Sequence, residues 1–154
     1  MDDGWERNKK IIKTTKLFEI LKNNNDTVLI ADNVYSNLQK KLYSFTMNSW
    51  SGSNEHNVKA KNNDYKLMPA RVRPFGEWYK AKFGDIVTTH ECYGGVFAAS
   101  KTDIHNRPKS FYEDLLNEIS IHNSSNVEVS HYIERSWEAI LKPKQSSLYK
   151  LYPD

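Results

Sequence analysis

Apolar positions are thin along this chain, so the places where they recur carry the reading. Over residues 8–22, NKKIIKTTKLFEILK, Ile11, Thr15, Phe18 and Leu21 return at helical spacing while Ile12, Leu17 and Ile20 widen the stripe. That pattern predicts an amphipathic helix with this face turned inward. The run NNND ends it, because Asn and Asp favour turns. TVLIADNVY follows as a β-branched and aliphatic run, the signature of a strand buried on both faces. Helix, turn and buried strand in that order predict layered α/β architecture.

Further along, SNLQKKLYSF reads as a short helix, and the chain from Met47 to Asp64 loses periodicity and reads as a long polar loop. YKLMPARVRPF is expected to be extended, punctuated by Pro69 and Pro74, and GEWYKAKFG to be a short helix closed by Gly84. DIVTTHECYGGVFAAS predicts strand, turn and strand. In NRPKSFYEDLLNEI, Phe111, Tyr112, Leu115, Leu116 and Ile119 form a helical stripe, with Pro108 suited to its first turn. HNSSN breaks it. EVSHYIERSWEAIL then predicts one helix burying Val129, Tyr132, Ile133, Trp137 and Ile140, with His131, Glu134, Arg135 and Glu138 on its other side. The expected organisation is a single α/β domain over 1–142 with a small mixed sheet, and a loose tail over 143–154.

Composition sharpens this picture only in part. The chain has 154 residues, enough for one core, and aromatic residues at 12% supply bulk where aliphatics are few. The formal charge of +3 comes from interspersed cations and anions, which suits an anionic ligand such as a nucleotide but lacks the dense basic stripe of a nucleic-acid binder. Cys92 is the sole cysteine, which excludes a disulfide framework and any multi-cysteine metal site. Neither a signal peptide nor a membrane-length apolar run is visible, so a cytoplasmic setting is expected.

Four places carry candidate chemistry. Asp32, at the carboxyl end of the buried strand, is positioned to hold Mn²⁺ or Mg²⁺ against phosphates, or else to form a turn with Asn33. In HECYGGVFAAS the pair Gly94-Gly95 leaves room for a ligand against the backbone, lined by His90, Glu91 and Tyr93, or else shapes a bulge. In VEVSHYIERSW, Glu134, His131 and Glu128 offer general-base chemistry, with a solvated helix face as the alternative. Arg71 and Arg73 alternate along an extended stretch and would grip phosphate from one side, or stand as surface charge.

Three blocks in order, RVRPFGEWYKAKFG, YGGVFAASKTDIHNRPKSFYEDLL and VSHYIERSWEAIL, resemble the C-terminal half of a family long listed as a domain of unknown function and similar in layout to nucleotide-sugar-dependent glycosyltransferases of the GT-A class, across about residues 69–142. The resemblance implies a GT-A-like fold and transfer of a sugar from a nucleotide-sugar donor to a carbohydrate acceptor. It implies a sugar pocket around Gly94, Gly95 and their neighbours, with Arg71, Arg73 and Trp78 binding substrate. Glu134, or less directly Glu128, would deprotonate the acceptor hydroxyl. The usual Asp-x-Asp metal motif is replaced by IADN, and the first half is short for a nucleotide-binding βαβ entry. A non-catalytic carbohydrate- or nucleotide-binding module, stacking ligands on Trp50, Trp78 and Tyr79, is the alternative.

Overall fold

Strand β1 (Val28–Ala31) is buried at every position, as its unbroken aliphatic sequence requires. In the computed structural model, which describes residues 3–34, 42–47, 68–120, 127–142 and 148–150, it is the centre of a three-stranded mixed sheet. β4 (Phe97–Ala98) pairs with it antiparallel on one side and β5 (Leu148–Lys150) parallel on the other, with Leu29 opposite Phe97 and Leu148. Residues 148–150, expected as part of a loose tail, are therefore a strand of the central sheet. A second, two-stranded antiparallel ladder joins β2 (Asn33–Val34) to β3 (His90–Glu91).

The described residues include six helices: α1 (Asp3–Leu21), α2 (Phe75–Phe83), α3 (Lys101–His105), α4 (Lys109–Ser120), α5 (Glu128–Glu134) and α6 (Trp137–Leu141). The protein is thus mixed α/β with a small mixed sheet. Contacts divide it into two compact units, one built from 1–36, 87–109 and 134–154, the other from 37–86 and 110–133. Of the short helix expected in SNLQKKLYSF, residues 42–45 are described and Leu42 and Tyr43 are helical, while 36–41 and, apart from Met47, the polar loop with Trp50 lie outside the described residues.

In unit 1, Leu17, Val28 and Ile30 form an aliphatic core with Ile20, Leu21, Val96, Ala98 and Tyr149 against it. The buried face of α1 is the expected one only in part: Leu17, Ile20 and Leu21 of the stripe pack into the core. Ile11 and Phe18 are exposed at 54% and 62%, while Lys13 is buried at 1%. Lys13 reaches Asp32 at 2.6 Å, and it faces inward beside Leu17, so a paired cation takes a place on the buried face. Helix α3 begins with Ser100, whose Oγ accepts the Asp103 amide, a capping arrangement carried by the sequence SKTD.

Unit 2 is built on rings. Phe75, Trp78, Tyr79 and Phe83 of α2 pack on one another and on Tyr132 of α5, with centroids 4.7–6.2 Å apart, a range in which aromatic pairs attract beyond simple burial. Gly84, with φ 65°, closes α2 by donating its amide to the Lys80 carbonyl, as expected. Gly76 has a different duty, since a Cβ there would lie 2.6 Å from Tyr43 Cβ. The stripe EVSHYIERSWEAIL, expected as one helix, is two, broken at Arg135-Ser136, both buried. The second of them, α6, belongs to unit 1, where Arg107 anchors it by donating to the Ala139 carbonyl at 2.8 Å.

Candidate functional site

The segment Thr89–Gly94 of unit 1 runs from β3 into the Gly-Gly turn, and its backbone amides would be orphans without outside partners. Carboxylates supply them. Glu138 on α6 accepts the amides of Thr89 and His90 at 2.8 and 2.7 Å. Asp32, just past β1, accepts the Tyr93 amide at 2.7 Å, and Glu134 accepts that of Gly94 at 2.7 Å. Three acids, one just past β1 and two flanking the break between α5 and α6, thus fix one short run of backbone. The turn itself needs glycine, because Gly94 and Gly95 take φ of 76° and 65°.

Cations balance these acids. Lys9 and Lys13 approach the two Asp32 oxygens at 2.8 and 2.6 Å, and Lys13 also donates to the Tyr93 carbonyl at 2.8 Å. Burial alone would raise the Asp32 carboxyl, but the hydrogen bonds from Lys13, Lys9 and the Tyr93 amide prevail and hold it below the usual carboxylate value. Glu138 behaves likewise: burial raises it, while His90 and the Thr89 and His90 amides lower it further. Glu91 accepts the Tyr93 hydroxyl at 2.6 Å and lies 3.8 Å from Arg135, whose guanidinium sits 5.0 Å from the Tyr93 ring centroid. Cys92, sealed beneath the turn, has its thiol pushed up to about 12 by burial and is no nucleophile.

Exposure separates the acids. The side chains of Glu91, Asp32 and Glu138 are 2%, 3% and 15% exposed, whereas Glu134 is 31% exposed beside the open backbone of Gly94-Gly95. The expected neighbours His90 and Glu91 therefore face inward. His90 shares a 2.7 Å hydrogen bond with Thr89 and lies 3.5 Å from Glu138, so it serves the network and lines no approach. Tyr93 is half-buried with Arg135 over its ring, and His131 is half-buried on α5.

The metal expectation at Asp32 does not fit these donors. Two ammonium groups already neutralise its carboxylate, and a divalent ion would have to displace both. Among the described residues no group of three or more His, Cys, Asp or Glu side chains stands close enough to share an ion.

The remaining candidates belong to unit 2. Glu128, expected as a possible base, is completely buried, accepts the amides of Met47 and Ala70 at 2.8 and 2.7 Å, and is ion-paired with Arg73, whose Nε lies 2.9 Å away. Its oxygens are consumed in joining chain segments, so it is a structural staple with no path to a substrate hydroxyl. Arg73 is committed to it, which dissolves the expected phosphate-gripping pair. Arg71 is exposed and lines, with Trp78, a cavity of about 280 Å³. The staple role of these acids escaped the sequence reading, because nothing in a linear pattern marks a carboxylate as the partner of a distant amide.

Searches against protein families, curated proteins and solved structures find no match to this chain. No helix among the described residues is long and apolar enough to cross a membrane.

Proposed function

We propose that unit 1 carries a glycosyl-transfer site, moving a sugar from a nucleotide-sugar donor to a carbohydrate hydroxyl on a GT-A-like scaffold. The reading is supported by one observation above the others. Glu134 is the most exposed acid of the network, and its carboxylate is held 2.7 Å from the amide of Gly94. A carboxylate fixed in this way is a suitable general base, since its orientation is settled before substrate arrives. In the reaction the acceptor oxygen bonds to the anomeric carbon, the bond from that carbon to the nucleotide diphosphate breaks, and the acceptor proton passes to Glu134. The two glycines, lacking side chains, let a sugar ring approach the backbone. No divalent ion is placed at Asp32.

Glu134→Gln is the informative variant, because glutamine keeps an oxygen for the Gly94 amide while losing basicity. Turnover of UDP- or GDP-sugars, measured with and without Mn²⁺, is expected to fall about 10²-fold or more with unchanged thermal stability. Equal turnover in the variant removes Glu134 from the chemistry. A second reading, a non-catalytic carbohydrate- or nucleotide-binding module, is favoured by the neutralisation of Asp32 by two lysines, where GT-A chemistry expects a metal-binding acid. Saturable calorimetric binding of a nucleotide sugar without turnover of any donor would select it.

A further inference from the structure

The unit 2 cavity is independent of the glycosyl-transfer reading and has its own chemistry. Val72 and Val129 give it aliphatic walls, and Trp78 and the stem of Lys82 complete them. Its acid is occupied: Glu118 accepts the Trp78 indole N–H at 2.7 Å and is ion-paired with Lys82. Its other cation is not, since Arg71 is exposed and makes no ion pair among the described residues. Two cations face one anion, leaving a single surplus positive charge at an otherwise apolar hollow.

These features narrow the ligand. A polyhydroxylated sugar would strand hydroxyls against Val72 and Val129, where nothing answers them. A phosphate dianion would bring a second negative charge up to Glu118. At roughly 30 Å³ per water-sized volume, 280 Å³ accommodates about nine such volumes, the bulk of one substituted ring. A guanidinium matches a carboxylate through two parallel N–H donors. We propose that this cavity binds a small planar aromatic monocarboxylate, its ring among Trp78, Val72 and Val129 and its carboxylate on Arg71.

Benzoate titrated into the full chain labelled with ¹⁵N provides the test, read at the Trp78 indole N–H signal. Benzamide serves as the uncharged isostere and phenylphosphonate as the dianion. A saturable shift is expected with benzoate, at a Kd at least tenfold below those of benzamide and phenylphosphonate. Arg71→Met, which keeps the side-chain stem at an exposed position, should weaken benzoate about tenfold or more, equivalent to ~1.4 kcal/mol. Val72→Trp, also at an exposed position, should fill the hollow and abolish the shift. The proposal is overturned by absence of a saturable shift, by equal response to benzamide or phenylphosphonate, or by an Arg71→Met protein that binds as the parent does.

Discussion

Among the described residues unit 2 encloses one carboxylate, Glu128, near a cluster of rings, whereas unit 1 ranges several acids along a single stretch of backbone and pairs them with Lys9, Lys13 and Arg135. Both devices spare buried amides the cost of going unpaired, about 1–3 kcal/mol each. They differ in redundancy. Glu128 is a single point on which three partners depend, while Asp32 answers to two lysines and an amide and its neighbours carry their own partners. They differ also in reach: the unit 2 acid is fully sealed, and the unit 1 series grades outward to Glu134. A graded series is the arrangement from which a site can be made, because the backbone that orients its outermost member is itself held by a buried acid, Asp32, at the preceding amide.

Removing one charged partner from each unit tests that contrast. Glu128→Ala leaves Arg73 without its partner and two buried amides without acceptors, and is expected to cost about 3–5 kcal/mol in urea unfolding. In unit 1, Lys13→Met removes one of two ammonium groups from Asp32 and should cost less, about 2 kcal/mol, because Lys9 and the Tyr93 amide remain. Equal costs would mean that the unit 1 network has no real redundancy.

Acid provides a finer cut. Asp32 and Glu138 both have carboxyls held below their usual values in the folded state. Their contribution is therefore present above the unfolded pKa, near 4, and disappears as pH falls through the lower folded values. Stability measured from pH 6 downward should decline below about pH 4, and Asp32→Asn should flatten that limb. In alkali the units converge: burial raises the Cys92 thiol in unit 1 and the Tyr43 and Tyr132 phenols in unit 2, so each loses stability as pH climbs past the unfolded values. An acid limb unchanged by Asp32→Asn would show that the ion network contributes little.

Local pattern disclosed β1, α2 with its Gly84 stop, and the strand-turn-strand course around Gly94-Gly95, since each depends on residues adjacent in sequence. Non-local pairing hid the rest. Periodicity marks Leu17, Ile20 and Leu21 on the buried face of α1 but not Lys13, whose partner Asp32 lies nineteen residues on, nor the exposure of Ile11 and Phe18. Strand β5 escaped notice because LYK has no apolar run of its own and owes its place to pairing with β1. Helix α3 could have been found, as Ser100 and Asp103 stand at capping spacing. Within the candidate site, sequence singled out Gly94 and Glu134 separately, but their 2.7 Å hydrogen bond joins positions forty apart.

The glycines offer the smallest contrast between the units, and it isolates cause. Gly76 of unit 2 is required for space: an added Cβ would meet Tyr43 Cβ at 2.6 Å and its carbonyl oxygen at 2.9 Å. Gly94 and Gly95 of unit 1 are required for conformation, since a Cβ at Gly95 meets nothing within 4 Å and one at Gly94 meets only the flexible Lys10 side chain, at 3.3 Å. Alanine should therefore destabilise at all three, by about 1–3 kcal/mol through overpacking at 76 and about 1–2 kcal/mol through left-handed strain at 94 and 95. Asparagine separates the causes, because it tolerates positive φ but is larger than alanine. Gly95→Asn should recover most of the loss seen with alanine, and Gly76→Asn should deepen it. If asparagine proves as costly as alanine at 95, the turn is held by something other than its backbone angles, and the reason for placing two glycines beside Glu134 must be sought in what binds there.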